Sequence, residues 1–243
     1  MSVFNVKIAN HVIEVNTFYN YTFSLLHDFI TDEPADIKIF STHEDIDQEI
    51  LVYKMTTGRT RIPRISRIES TVLLRKASEA LIQYDTLLMH GAVIGIGSDA
   101  IMFTGKSGIG KTTHILKWLR QSPDAYVING DKPFIQFSER PIVCGSPWSG
   151  KEELYTNCMV PLKSIVLMER SETNQIKQVP FTDAFPVLFQ QVYRPQNDKD
   201  LSMTLSLLQK LNPFVSFWRF KCNNFRDDCF NTVYQELFEN RFL

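Results

Sequence analysis

The eight residues Gly105-Lys106-Ser107-Gly108-Ile109-Gly110-Lys111-Thr112 match G-x-x-x-x-G-K-[ST] without a break. A loop of this kind wraps phosphate groups in its own backbone amides. It needs an extended segment to deliver its first glycine and a helix to leave from its lysine, so that the helix dipole adds to the field at the anion. That requirement confines the chain to an α/β architecture, and the flanks meet it. Ala100 to Thr104 is a short apolar run ahead of the loop, and Thr112 to Leu119 places Ile115, Trp118 and Leu119 on one helical face behind it. A nucleotide is therefore the first ligand to expect, with Gly105, Lys106, Ser107, Gly108, Ile109, Gly110, Lys111, Thr112 and Thr113 as its binding residues.

The remaining pattern supplies a mixed sheet and helices around that loop. Val3 to Val15 alternates apolar and polar residues about Ala9-Asn10-His11 and predicts a hairpin. Phe18 to Ile30 has helical spacing, Ile37 to Phe40 a strand pattern, and Glu44 to Val52 mixes apolar and acidic residues. These make a small N-terminal α/β portion over residues 1–60, with residues 61–243 as the loop-bearing domain. Between them, Thr57 to Arg64 is a basic loop whose Arg59, Arg61 and Arg64 either touch phosphate or are simply solvated. Ile68 to Tyr84 predicts an amphipathic helix, and Leu87 to Ile94 with Ala100 to Thr104 a buried hairpin. Further strands are expected at Ala125 to Ile128, Pro133 to Phe137, Ile142 to Cys144, Leu162 to Met168 and Val215 to Phe220. Helices are expected at Thr182 to Val192, Leu201 to Leu211 and Asp227 to Leu237.

With 243 residues, 44% of them hydrophobic, the chain can bury one large core or two modest ones. A formal net charge of -1 gives no general attraction to nucleic acid or to an anionic membrane. The aromatic-basic stretch Phe214 to Lys221 fits a buried strand better than a single-strand nucleic-acid platform. The four cysteines form no C-x-x-C pair, which argues against a zinc knuckle. The start of the chain lacks the pattern of a signal peptide and no stretch is long and apolar enough to span a bilayer, so a cytoplasmic protein is expected.

Chemistry around the loop requires a few further groups. Lys111 is placed to reach the terminal phosphates, and the Thr112 hydroxyl is the expected magnesium ligand. An acidic residue at a neighbouring strand end completes such a metal site. Asp131, after the strand Ala125 to Ile128, is the candidate, although Asn129-Gly130-Asp131 would also make an ordinary turn. His90 precedes the loop on the adjacent strand, where pattern alone allows a satisfied core histidine as readily as a catalytic one. Gly145 to Glu153 joins two strands and carries Trp148, Lys151 and Glu152. It is either a cover for the site or a solvated charged turn.

Taken together, Met89-His90-Gly91-Ala92-Val93-Ile94, the Gly105 to Thr113 loop and Ile128-Asn129-Gly130-Asp131 resemble the run found in HPr kinase/phosphorylase and, more distantly, in ATP-dependent phosphoenolpyruvate carboxykinase. The resemblance is specific over His90 to Asp131 and only suggestive beyond. It implies a mixed central sheet with flanking helices, as in the HPr kinase C-terminal domain. It also implies His90 beside the transferring phosphate, Lys111 and Thr112 on phosphate and metal, and Asp131 as the second of two aspartates. Gly130 stands where that family has the first aspartate, regarded as the general base. The segment Pro147-Trp148-Ser149-Gly150-Lys151-Glu152 resembles one in small kinase-like relatives of HPr kinase, many found beside peptide-modification genes. There Glu152 would serve as base or second metal ligand, and Lys151 would neutralise phosphate charge.

The function expected on these grounds is an ATP- and Mg2+-dependent kinase, a phosphotransferase moving the γ-phosphoryl group to a hydroxyl of a protein serine, a peptide or a free amino acid. Catalytic candidates are His90, Lys111, Asp131, Lys151 and Glu152, with Thr112 and Asp131 as metal ligands. The alternatives are a nucleotide-binding regulatory or scaffold protein without efficient catalysis, and an ATPase switch. The partners are then a nucleotide, ATP or ADP, and the acceptor, with neither nucleic acid nor membrane; assembly into a homo-oligomer stays open.

Overall fold

The computed structural model describes residues 2–223, 226 and 228–239. The chain divides into two compact units, Met1–Tyr84 and Asp85–Leu243. The division expected near residue 60 thus falls inside the first unit. Helix α3 (Ile65–Ile82) packs on α2 (His43–Thr57), α1 (Asn20–Leu25) and β3 (Ile37–Phe40), all of them N-terminal elements.

In the first unit, β1 (Ser2–Ile8) and β2 (His11–Thr17) form the expected hairpin. Its two-residue turn, Ala9 and Asn10, has positive φ at both positions (50° and 62°), the geometry that matches strand twist. β3 adds in parallel to β2, giving the order β1-β2-β3. The helical spacing of Phe18 to Ile30 yields only α1 and a 3-10 turn at His27–Phe29. α2 begins with a capping box between Thr42 and Asp45 and ends at Gly58 in the left-handed region. The arginine-bearing segment that follows is a loop, as the sequence suggests.

The second unit is a nine-stranded mixed sheet in the order β4-β8-β9-β10-β6-β5-β7, with β12 on β10 and β11 on β12. Its strands are β4 (Thr86–Leu88), β5 (Gly91–Ile96), β6 (Asp99–Thr104), β7 (Ala125–Asn129), β8 (Phe134–Phe137), β9 (Pro141–Cys144), β10 (Met159–Arg170), β11 (Gln175–Val179) and β12 (Ser216–Cys222). Strand β10 joins the two halves of the sheet. Its first residues pair antiparallel with β9, and the remainder runs parallel to both β6 and β12. The run Leu87 to Ile94 is not one strand. At Met89 and His90 the backbone leaves the ladder, Met89 N–H donating to Pro133 O and His90 N–H to Gln191 O, so β4 pairs with β8 and only β5 makes the hairpin with β6.

Alternation along the strands separates two apolar layers. On β6, Ala100 and Met102 face α5 (Phe181–Gln191) and α6 (Asp198–Gln209) through Ala184, Leu188, Leu207 and Leu208. Ile101 and Phe103 face α4 (Lys111–Gln121) and α7 (Cys229–Tyr234) through Ile115, Trp118, Phe230 and Val233. Phe217, Trp218 and Phe220 are buried as a core strand requires, whereas Phe214 is exposed. α7 passes into a π-turn at Gln235–Glu239; the expected start of that helix at Asp227 lies outside the described residues. All four cysteines are free thiols. Among the described residues, no helix is long and apolar enough to cross a membrane.

Candidate functional site

The glycine-rich loop leaves the carboxyl end of β6, beside its parallel neighbour β10, and open α/β sheets place their ligands at such carboxyl ends. Gly105 has no room for a side chain, since a Cβ would lie 2.8 Å from Met168 O. Gly110 is the N-cap of α4 with φ 102°, a conformation that favours glycine, and it turns the chain so that Lys111, Thr112 and Thr113 open the helix. From the end of β10, the Arg170 guanidinium (Nη2) donates to Gly108 O at 2.7 Å and braces the loop from outside.

A cavity of about 480 Å3 lies over that helix start. It is lined by His90, Ser107, Gly108, Gly110, Lys111, Thr112, Thr113, Gly130, Asp131, Gly150, Lys151 and Glu152. The structure thus gathers all five residues that the sequence nominated for chemistry, together with most of the loop. Lys106 and Ile109 line adjoining cavities instead. One, of about 580 Å3, runs past Lys106 to Gln190 and Gln191; another, of about 430 Å3, lies between Ile109, Thr113, Arg170 and Asn223.

His90 is held at three backbone points: its N–H donates to Gln191 O (2.8 Å), its carbonyl accepts from the Thr104 hydroxyl (2.7 Å), and the next residue, Gly91, donates to Asp131 O (2.9 Å). Its ring spans two partners, with Nδ1 2.8 Å from Gln191 Oε1 and Nε2 3.2 Å from Asp131 Oδ1. The Asp131 carboxylate also accepts from Lys132 Nζ, 3.0 Å from Oδ2. Burial works to raise the Asp131 pKa, but the His90 hydrogen bond and the Lys132 charge outweigh it and bring the carboxyl down to about 2. Lys111 is almost entirely buried. Its ammonium donates to Gly105 O at 3.1 Å and more weakly to Lys106 O at 3.4 Å, and desolvation lowers it to about 8 against the opposing pull of Asp131.

Asn129, buried at the end of β7, organises the turn that presents Asp131. Its Oδ1 accepts from the N–H groups of Asp131 (2.8 Å) and Lys132 (2.6 Å), while its Nδ2 donates to Ser146 O and Oγ. The segment from Gly145 to Ser149 is buried, whereas Gly150 to Glu153 is exposed, so the Lys151-Glu152 tip has a fixed root. That root explains Gly130. Its N–H donates to Leu154 O at 2.9 Å, and a Cβ there would lie 2.6 Å from Ser149 O. Backbone of Ser149 and Leu154 fills the space that a side chain at position 130 would need.

Gln191, Lys132, Asn129 and Arg170 were not nominated from the sequence. Of these, Asn129 left a signal, in the turn sequence Asn129-Gly130-Asp131 that ends a predicted strand. Among the described residues no cluster of three His, Cys, Asp or Glu could hold a metal by itself. Thr112 and Asp131 supply the hydroxyl and carboxylate oxygens that suit magnesium, and the rest of its shell would come from phosphate and water.

No protein-family model matches this chain, and no curated protein matches it in sequence. Among solved structures, the HPr(Ser) kinase/phosphatase from Coxiella burnetii aligns at 10% identity with a TM-score of 0.38, covering 63% of this chain and 98% of that chain. A likeness at that level carries no argument about chemistry, which rests on the residues themselves.

Proposed function

We propose that the second unit binds ATP on the Gly105 to Thr112 loop and transfers its γ-phosphoryl group to a hydroxyl acceptor. The observation that carries the proposal is the convergence on one cavity of the loop, Lys111 and the His90–Asp131 pair. Loop amides and the start of α4 would cradle the α- and β-phosphates, and Lys111 would reach the β- and γ-phosphates. The nucleoside then runs toward Ile109, Thr113 and Asn223, away from His90. The acceptor enters along the Gln190-Gln191 cavity.

In the transfer itself, the acceptor oxygen bonds to the γ-phosphorus as the bond to the β,γ-bridging oxygen breaks, and ADP departs. Thr112 and Asp131 would hold magnesium, which when bound draws negative charge from the phosphate oxygens. Lys111 and Lys151 stabilise the charge on the leaving and transferring groups. The hydroxyl proton passes to Glu152, because both ring nitrogens of His90 already face Gln191 Oε1 and Asp131 Oδ1. Catalysis of this kind is mostly positioning.

A second reading, nucleotide binding without efficient transfer, is favoured by Gly130, where no carboxylate can stand. One experiment separates the two. Isothermal calorimetry with ATP tests the site, and Lys111→Ala should abolish binding; absence of binding by the native protein sinks both readings. Label from γ-phosphate appearing on protein, peptide or amino-acid hydroxyls supports the kinase, whereas binding without transfer to any of them supports the second.

A further inference from the structure

Asp131 lies in the candidate metal site, yet it already has a cationic partner. Lys132 Nζ stands 3.0 Å from its Oδ2, and His90 Nε2 stands 3.2 Å from its Oδ1. The backbone of Lys132 is fixed on both sides. Its backbone N–H is bound by the buried Asn129 side chain at 2.6 Å, and its carbonyl accepts from Ser146 Oγ at 2.6 Å. Asn129 in turn donates to Ser146, so the backbone from which the ammonium reaches is locked on both sides.

The balance of charge around the cavity points the same way. With Gly130 in place of a carboxylate, Asp131 and Glu152 are the anions lining the cavity, against Lys111 and Lys151, with Lys132 bound to Asp131 from beside it. A divalent cation must compete with Lys132 for the Asp131 carboxylate. A triphosphate arriving without a metal meets the ammonium groups of Lys111 and Lys151 in the lining, with that of Lys132 beside Asp131.

We propose that Lys132 bridges Asp131 and the terminal phosphates in the position a magnesium ion would otherwise take, so that nucleotide binds here with little dependence on a divalent cation. Magnesium, when bound at Asp131, would displace Lys132 from it and serve transfer more than binding. The inference rests on the nucleotide reading above, and its test keeps the two apart.

The test is calorimetric titration of the full chain with ATP in EDTA and again in excess Mg2+. The two dissociation constants should agree within about tenfold for the native protein. Lys132→Met should weaken binding in EDTA by about tenfold or more and leave binding in Mg2+ within about threefold. Lys132→Gln should behave alike, with thermal unfolding of both variants confirming an intact fold. Native binding that disappears in EDTA and returns with Mg2+ overturns the role of Lys132 and leaves the nucleotide site standing. Equal affinities of native and variant proteins in EDTA also overturn it. Failure to bind ATP in either condition overturns the nucleotide reading and this inference with it.

Discussion

Gly130 and Ser149 are packed so closely that a Cβ on the first would lie 2.6 Å from the carbonyl oxygen of the second. The contact is backbone against backbone, so no side-chain rotation relieves it. Gly130→Ala should therefore destabilise the protein by about 1–3 kcal/mol, the usual cost of overpacking, as measured by urea unfolding. Gly130→Asp, which sets a second carboxylate beside Asp131, should cost at least as much and should not raise phosphoryl transfer. An Asp variant of native stability with increased transfer would show that the covering segment yields easily.

Lys111 makes a prediction about protons. Its pKa is lowered from 10.5 to about 8, chiefly by burial, so near pH 8 the free protein holds this ammonium only partly protonated. A bound phosphate favours the charged form, so binding ATP at pH 8 should take up as much as about half a proton, read from the binding enthalpy in buffers of different ionisation heat. Lys111→Met should remove both the uptake and the binding. The same residue also weakens the fold, because a buried ammonium binds its proton less well folded than unfolded. Stability should accordingly rise with pH between about 8 and 10.5, and Lys111→Met should stabilise the free protein at pH 7 by on the order of 1–3 kcal/mol.

Asp131 has the opposite sign. Its folded pKa of about 2 lies below its ordinary value of 3.8, so it contributes stability that is fully present above about pH 4 and is lost as the pH falls toward 2. The carboxylate is roughly a third exposed, and solvent screening reduces the contribution to about 1–2 kcal/mol. Asp131→Asn should show that deficit in urea unfolding at pH 7 and a much smaller one near pH 2. A deficit unchanged between the two would mean that the His90 hydrogen bond and the Lys132 ion pair contribute nothing.

The sequence showed the loop, its strand and helix, and the candidates His90, Lys111 and Asp131, because those signals are local in spacing and polarity. Partners brought in across the chain were hidden from it. Gln191 reaches His90 from the end of a helix 101 residues away. The break at Met89 and His90 is set by Pro133 and Gln191, which an uninterrupted apolar run does not reveal. Strand β11 was missed because Gln175 to Val179 is mostly exposed and carries no alternating apolar pattern. Lys132 carries no signal in the sequence, because Asn129 and Ser146 hold its backbone through contacts that form only in the fold.

Glu69 was hidden for the same reason, and it supports a prediction far from the chemistry. A charged residue within the amphipathic pattern of α3 would ordinarily face solvent, yet this one is fully buried. Its Oε1 accepts from Phe18 N–H (2.6 Å) and the Ser41 hydroxyl (2.7 Å); its Oε2 accepts from the Thr17 hydroxyl (2.7 Å) and Tyr19 N–H (3.2 Å). The carboxylate thereby ties α3 to the end of β2, the approach to α1 and the end of β3. Glu69→Gln keeps the volume but turns an amide donor toward groups that are themselves donors, so it should cost about 3 kcal/mol in denaturant unfolding. Glu69→Leu leaves two backbone N–H groups without an acceptor and should cost at least as much. A loss below about 0.5 kcal/mol for both variants would show that water replaces the carboxylate, and that this network does not hold the first unit together.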